Sequence, residues 1–170
     1  FLNRFKYSIY YIYMNYWLMK SEGDCYSIDD LKRDKTTAWS GVRNYQARNF
    51  MRDHMKKGDM VLFYHSNSKP TGVYGIAKVT VNAHADETQF KKNGEYYDPK
   101  STHENPRWQC VDVGFVKKFK EPVTLDQIKF EDSLAGMMVR KRGSRLSIQQ
   151  VSEKHLKIIE KKEKLSFRFL

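Results

Sequence analysis

The chain has few cysteines and no grouping of histidines or cysteines that is typical of a metal site. Cys25 and Cys110 do not form a C-x-x-C pair, and the five histidines are scattered along the sequence. This pattern excludes a disulfide-stabilised scaffold and gives no support for a structural zinc site. We therefore expect no metal, no cofactor and a reducing compartment, of which the cytoplasm is the simplest.

Motifs of the common enzyme classes are also absent. The sequence contains no G-x-S-x-G, no Walker A motif, no H-E-x-x-H and no G-x-G-x-x-G after a strand. Neither cysteine has the surroundings of a catalytic nucleophile. We expect no catalysis; the enzymatic alternative is a nucleotide-processing site in which Asp112 and His65 act as an acid/base pair within one cavity.

No uninterrupted apolar run is long enough to cross a membrane. The stretch FLNRFKYSIYYIYMNYWLMK at the N-terminus is apolar and aromatic, but basic residues break it and it lacks a signal-peptide cleavage site. No membrane partner is expected. We interpret 1–15 as an N-terminal extension with Met14 as a candidate natural start, or alternatively as an additional edge strand. A single domain is expected over 16–163, with a charged tail over 164–170.

Acidic residues are fewer than basic ones. Lys and Arg number 31 against 20 Asp and Glu, a formal net charge of +11, and the first 13 residues contribute only two of the basic side chains. A strongly basic domain favours polyanionic partners, nucleic acid first, although a solvated basic surface is the alternative. The composition is compatible with one globular domain, which we expect to be a monomer.

The hydrophobic pattern predicts short strands separated by short helices, without a βαβ rhythm, a repeat or a linker. Strands are predicted within YWLMK, MVLFYHSN, VYGIAKVTV, RWQCVDVGFV and SRLSIQQV, and helices are predicted after the capping residues Ser27, Asn44, Thr124 and Ser152. The second helix is expected to end at Gly58. The polar segment 82–107 is predicted to be a long loop. These elements predict an α+β fold, a small antiparallel barrel or curled sheet of about five to six strands with short helices packed around it.

The stretch TAWSGVRNYQARNF, residues 37–50, gathers aromatic, guanidinium and amide groups. Trp39 lies in a turn beside Gly41. There it can present its ring to a flat ligand such as a nucleobase, or it can close the core. Arg43 and Asn44 lie at a predicted helix N-terminus, where they can bind a phosphate, or serve only as a surface charge and a cap.

Polar groups after two apolar strands are further candidates. His65, Ser66 and Asn67 end the MVLFYHSN strand and offer donors and acceptors of mixed kind. Trp108 shares a strand face with Asp112, which must be paired if it is buried, for example with Arg145 or Lys20.

Two groups of basic residues are candidates for phosphate contacts. Arg48, Arg52 and Lys56 follow one another at a spacing of four and predict a ridge along the second helix. Arg140, Arg142 and Arg145 surround Gly143 in a predicted loop. Such a loop can bind phosphates, or it can be an ordinary solvated turn.

Taken in order, these strings resemble the EVE domain family. The resemblance covers residues from Tyr16 to Ile159 and is carried by YWLMKSE, TAWSGVRNYQARNFMRD, GDMVLFYHSN, GVYGIAKV, NPRWQCVDV and RGSRLSIQQV. It implies a PUA-like barrel related to YTH domains, with a base-sized cavity that binds a modified base without catalysis. The implied ligand is DNA with 5-methylcytosine or 5-hydroxymethylcytosine, or RNA with a modified base.

The resemblance and the residues together predict the site. The base-binding pocket is predicted to contain Lys20, Ser21, Trp39, Ser40, Asn44, His65, Ser66, Asn67 and Trp108, with phosphate contacts from Arg43, Arg48, Arg52, Arg140, Arg142 and Arg145. Ser40 stands where the family commonly has Asp, which puts the base preference in question. The alternative function is a general RNA-binding module of PUA type that does not select a modification.

Overall fold

A computed structural model describes residues 14–166. Its strands are β1 (Tyr16–Glu22), β2 (Thr36–Ala38), β3 (Met60–Ser66), β4 (Gly72–Ala85), β5 (Gln109–Thr124) and β6 (Ile148–Val151), and its α-helices are α1 (Ile28–Asp34), α2 (Tyr45–Asn49), α3 (Leu125–Phe130) and α4 (Glu153–Ser166). Short 3₁₀ turns occupy Glu87–Phe90, Asp132–Leu134 and Met138–Arg140. The predicted extension over 1–15 falls almost entirely outside the described residues, as does the end of the predicted tail.

The six strands form one mixed sheet in the order β2-β5-β4-β3-β1-β6. The pairing is antiparallel except between β1 and β3, which run parallel with Leu18 opposite Leu62. The predicted α+β class and strand number are confirmed, but the sheet is not antiparallel throughout. It is also not closed, since β2 and β6 each have a single neighbouring strand within residues 14–166.

Two capping boxes begin helices at the predicted residues. Asp30 N donates to Ser27 Oγ at 3.1 Å and Ser27 N donates to Asp30 Oδ2 at 2.8 Å, which starts α1. Thr124 and Gln127 form the same reciprocal pair before α3. Because both partners of each box lie within four residues, local sequence is sufficient to predict these helix starts.

The second helix departs from its prediction. Asn44 caps α2 as expected, accepting from Ala47 N at 3.0 Å. The helix then widens into a π turn over Phe50–His54, in which Met55 N donates to Phe50 O at 2.9 Å, and it ends before Gly58. A π turn holds one additional residue, so side chains four apart no longer lie in line. Lys56 also lies beyond the end of this turn, so the predicted ridge of Arg48, Arg52 and Lys56 does not continue along one helix.

The polar segment 82–107 is only partly a loop. β4 continues to Ala85, and the chain then packs around Gln89, which is fully buried. Gln89 Nε2 donates to Trp108 O at 2.9 Å and its Oε1 accepts from Trp108 N at 2.9 Å. These bonds join the start of the loop to its end. The residues between Gln89 and Trp108 therefore form one compact excursion over the surface.

Alternate residues of the strands pack into two apolar clusters on the two sides of the sheet. The first core contains Trp17, Met19, Phe63 and Trp39 and is covered by α1 and α2. The second core contains Leu18 and Leu62 and is covered by α3 and α4, whose Leu156 and Ile159 point inward as predicted. Within residues 14–166 no helix is both long and apolar enough to span a membrane.

Candidate functional site

An open cavity of about 700 Å³ lies beside the first core, at the carboxyl end of β1. Its wall is formed by the end of β1 and the loop after it, the segment from β2 to α2, two residues of the excursion between β4 and β5, and Ser147. The structure brings five of the predicted pocket residues into this wall, namely Lys20, Ser21, Trp39, Ser40 and Asn44. A volume of this size is typical of small-ligand sites, which span roughly 300–1,000 Å³.

Trp39 belongs to both the core and the cavity. Its backbone N donates to Val111 O at 2.8 Å, and its ring meets Phe63 edge to face at a centroid distance of 5.4 Å. Only 8% of its surface is exposed, and that part faces the cavity. Trp39 therefore both closes the first core and presents part of its ring to the cavity. Packing within the core holds the ring rigidly in place.

Lys20 is the half-buried cation of the cavity. Its Nζ donates to Ser144 O at 2.7 Å, and its backbone N donates to Ser147 O at 2.8 Å, so β1 is joined to the loop before β6. Burial lowers the pKa of Lys20. The ammonium has three donors, which leaves two for a ligand.

Tyr96 covers one side of the cavity mouth, above Gly41. Gly41 has a φ of +82°, a backbone conformation that favours glycine, and a Cβ on it would lie 2.9 Å from the Tyr96 ring and displace that ring. Glu95 lies beside Tyr96 in the wall. Sequence reasoning missed both residues; the available signal was the aromatic pair in GEYYDP within a long polar segment.

Arg43 holds this excursion in place. Its guanidinium donates to Asp86 Oδ2 at 2.9 Å, to Thr88 Oγ1 at 2.9 Å and to Tyr96 O at 3.1 Å. Burial acts to raise the pKa of Asp86, but hydrogen bonds from Thr88, Arg43 and Gly41 outweigh it and lower that pKa. The sequence predicts a phosphate contact for Arg43, but the donors of its guanidinium are used inside the protein.

His65, Ser66 and Asn67 lie behind the cavity wall, outside its lining. His65 is 5% exposed, accepts from Ile28 N at 3.0 Å and stacks on Tyr74. Burial lowers the pKa of His65, which keeps the ring neutral and able to accept at Nε2. Ser66 Oγ donates to Ser21 O at 3.4 Å, and Asn67 Nδ2 donates to Glu22 Oε1 at 2.9 Å. These residues therefore support the wall residues Ser21 and Glu22.

Trp108 and Asp112 also lie outside the cavity lining. Trp108 is 6% exposed, donates from Nε1 to Asp98 Oδ2 at 2.7 Å and stacks on Tyr45. Asp112 is paired with His84 at 2.7 Å, so the expected pairing with Arg145 or Lys20 is wrong. The alternation of β5 predicts the face that carries Asp112, but the partner comes from the neighbouring strand β4. The proposed acid/base pair of Asp112 and His65 is not brought together in this cavity.

The remaining predicted phosphate ligands fall into two groups. Arg48 donates to Arg107 O and to Asn49 Oδ1, while Arg52 is paired with Asp53 at 2.7 Å. Arg140 donates to Glu131 O at 2.9 Å and Lys129 O at 2.6 Å, which occupies it at the end of α3. Arg142 and Arg145 are exposed in the loop whose Ser144 binds Lys20. Arg142 and Arg145 are therefore exposed, and they shortly precede the cavity-lining residue Ser147 in the sequence.

No group of three or more His, Cys, Asp or Glu residues within 14–166 is arranged to hold a metal ion. Cys25 lies in the cavity wall, where burial and the neighbouring Glu22 raise the pKa of its thiol. A raised thiol pKa disfavours the nucleophilic thiolate. The cavity therefore offers hydrogen-bonding and stacking groups on a rigid frame.

Known proteins resemble this chain over most of its length. The model of the EVE domain matches residues 15–162. Thymocyte nuclear protein 1 of Rattus norvegicus is 48% identical over 126 residues, which cover 68% of this chain and 55% of the rat protein. The human protein of that name is 47% identical over 126 residues. The aligned part thus spans about half the length of these curated relatives.

Solved structures agree with the family match. A hypothetical protein from Leishmania major has a TM-score of 0.85 at 44% identity, covering 90% of this chain and 96% of that one. Human THYN1, solved in complex with 5-methylcytosine-containing DNA, has a TM-score of 0.81 at 40% identity, covering 88% of this chain and 97% of that one.

The curated relatives correct one expectation from composition. Their shared name, thymocyte nuclear protein, contradicts the cytoplasmic location inferred from the low cysteine content. Cysteine usage reports a reducing environment, and the nucleus shares that environment with the cytosol, so composition does not separate the two. The family match spans most of the chain and includes every residue that lines the cavity. This chain is a member of the EVE domain family.

Proposed function

We propose that this chain binds DNA that carries a modified cytosine, 5-methylcytosine foremost, and that the cavity holds the modified base without catalysis. The observation that carries the proposal is the 5-methylcytosine-containing DNA complex of human THYN1, whose fold is shared with this chain at 40% identity. The net charge of +11 supports a polyanionic ligand. The nuclear name of the curated relatives supports a nuclear site of action.

The volume and lining of the cavity suit a base that has left the helical stack. A base inside a duplex is stacked between its neighbours and cannot enter a cavity, so it must rotate out at a cost of a few kcal/mol. Stacking on an aromatic ring returns roughly 1–3 kcal/mol per base. Trp39, fixed by Phe63, and the partly exposed Tyr96 are two of the rings that line the cavity. The rigid placement of Trp39 in the core limits the entropy lost on binding.

The polar groups of the wall complement the edge of a cytosine. Cytosine presents an exocyclic amino donor together with ring and carbonyl acceptors. Lys20 has unused donors, and Glu22 and Glu95 are carboxylate acceptors in the same wall. Ser40 supplies a neutral hydroxyl in place of the acidic residue common in the family, so we assign the acceptor role to Glu22 or Glu95.

A methyl group can be selected only by apolar surface, because it adds no donor or acceptor. Ala38, Trp39 and Val42 provide such surface in the wall. Burying one methyl group contributes about 0.8 kcal/mol, which corresponds to roughly a fourfold preference. The backbone of the bound DNA is assigned to Arg142 and Arg145, which are exposed beside the cavity loop.

The test is a fluorescence anisotropy titration with duplexes that differ only in one cytosine, plain, 5-methyl or 5-hydroxymethyl. We expect about fourfold or greater preference for 5-methylcytosine at both low and high salt, because the methyl contact is not electrostatic. Lys20→Met should weaken binding to all three duplexes, whereas Phe130→Ala, on the exposed end of α3, should not. Equal affinities for plain and modified duplexes contradict base reading. They would leave a general nucleic-acid module as the function.

A further inference from the structure

A row of three aromatic rings and two guanidiniums leads from the cavity mouth to the surface. The Arg43 guanidinium carbon lies 5.4 Å from the Tyr96 ring and 5.2 Å from the Trp108 ring. Trp108 is stacked on Tyr45 at 4.9 Å with an interplanar angle of 18°, and Arg48 lies 4.8 Å from the Tyr45 ring. We call these five residues the aromatic–arginine shelf. Its members come from three separate segments of the chain, which the fold brings into one row.

The shelf is held firmly from below. Trp108 is buried and its indole N–H is bound by Asp98. Arg107 donates to the Tyr45 hydroxyl from the side, and its backbone carbonyl accepts from Arg48 at 2.7 Å. The Tyr45 ring is thus supported by a buried indole on one side and fixed at its hydroxyl. A ring that is already ordered loses little entropy when a ligand stacks on it.

The outer end of the shelf is positively charged and partly exposed. Tyr45 has 48% of its surface exposed although it is a large aromatic residue. Arg48 donates only to the neutral oxygens of Asn49 and Arg107, and no carboxylate of the described residues lies within ion-pair distance of it. An exposed ring beside a cation without a carboxylate partner complements a ligand that has both a flat apolar face and an anion.

We propose that the aromatic–arginine shelf is a second nucleic-acid contact, at which Tyr45 stacks on a base that neighbours the modified one while Arg48 binds its phosphate. The inference rests on the proposed function, because the cavity mouth fixes where the modified nucleotide enters. Tyr96 and Arg43 lie in the cavity wall, and Tyr45 directly follows the wall residue Asn44, so the shelf adjoins the cavity. The shelf recognises no modification. It contributes affinity and holds the strand on one side of the cavity.

The experiment uses the complete chain and two duplexes, one with 5-methylcytosine and one with cytosine, each with 2-aminopurine next to that position. Tyr45→Ala is compared with Tyr45→Phe, which keeps the ring, with Arg48→Gln, and with Phe130→Ala as an exposed-aromatic control. Circular dichroism and thermal unfolding establish that each variant is folded. Because Tyr45 is half exposed, we expect its replacement to leave the fold intact.

We expect Tyr45→Ala to weaken binding to both duplexes by the same factor, about 5- to 150-fold for the removal of one stacked ring. The preference for 5-methylcytosine should be unchanged, and 2-aminopurine should be brighter in the saturated variant complex than in the parent complex. Tyr45→Phe should remain within about twofold of the parent, while Arg48→Gln should lower the affinity and the salt dependence together.

The outcomes separate the shelf from the cavity. Parent-like affinity and parent-like 2-aminopurine emission for Tyr45→Ala overturn the shelf, whatever the modification preference is. A change in the preference itself also overturns it, since the shelf would then act on the cavity. If the parent shows no preference for the modified base, the proposed function fails, and an equal loss of affinity in Tyr45→Ala still supports stacking at the shelf.

Discussion

Replacing Gly41 by alanine should move Tyr96 out of the cavity mouth at only a small cost in the stability of the fold. The left-handed backbone at Gly41, with φ +82°, costs an alanine about 1–2 kcal/mol. The added Cβ also meets the Tyr96 ring at 2.9 Å, but that ring is 39% exposed and can turn away at little further cost. The free energy of unfolding should therefore fall by about 1–2 kcal/mol, while Tyr96 leaves the cavity mouth.

Gly58 provides the matched control. Its φ of +99° is also left-handed, but a Cβ there meets nothing within 4 Å, so Gly58→Ala introduces backbone strain alone. Urea denaturation should give similar losses of stability for Gly41→Ala and Gly58→Ala. Anisotropy titration should separate them: Gly58→Ala binds modified DNA as the parent does, whereas Gly41→Ala binds about 5- to 150-fold more weakly, the contribution of one stacked aromatic ring.

A double-mutant cycle completes this test. If Gly41→Ala acts by displacing Tyr96, the double variant with Tyr96→Ala should bind no more weakly than Tyr96→Ala alone. Equal binding by Gly41→Ala and Gly58→Ala would refute the argument, since Tyr96 would then have no part in holding the ligand. Additive losses in the cycle would refute it as well, because Gly41 would be acting through some other residue.

Three further predictions concern the frame of the site, the pH dependence and the basic loop. Trp39→Ala should destabilise the protein by about 3–5 kcal/mol in urea denaturation, because the ring belongs to the core, and a much smaller loss in that measurement contradicts the packing. Burial acts to lower the pKa of His84, but its bond to Asp112 outweighs this and raises it. The pair therefore stabilises the fold fully below about pH 6.5 and loses that contribution as the pH rises through the raised folded pKa. The difference in unfolding free energy between parent and His84→Gln should shrink as the pH rises above about 6.5, and a constant difference contradicts the pairing. Replacing Arg142 and Arg145 by alanine should lower the slope of log affinity against log salt by roughly 0.9 for each phosphate that is no longer neutralised, with the modification preference retained; an unchanged slope removes the loop from the interface.

Local signals in the sequence predict local structure well. The capping boxes at Ser27 and Thr124 and the cap at Asn44 begin helices as expected, since all the interacting groups lie within four residues. The π turn at Phe50–His54 has no such signal, because it depends on how the turn packs against β4 and β5. The parallel pairing of β1 and β3 could not be predicted either, since α1, β2 and α2 lie between these strands in the sequence.

The candidate site shows the same difference between local and long-range interactions. Lys20, Ser21 and Trp39 occur in strings that resemble the family, and they do line the cavity. The sequence pattern assigns Arg43 to phosphate because its partner Asp86, 43 residues away in sequence, cannot be read from local pattern. Tyr96 escapes prediction for the same reason, since it reaches the cavity through a long excursion. Long-range partners decide which polar residues are free for a ligand.

The most direct test of the account is to locate the methyl group of the bound cytosine. DNA with a ¹³C-labelled methyl group on one 5-methylcytosine is titrated with the protein and followed by NMR. We expect a methyl resonance displaced by the rings of the cavity, with nuclear Overhauser contacts to the methyl groups of Val42 or Ala38. A methyl resonance that keeps its free-DNA position at saturation, with no contact to the cavity wall, would contradict the claim that the cavity reads the modified base.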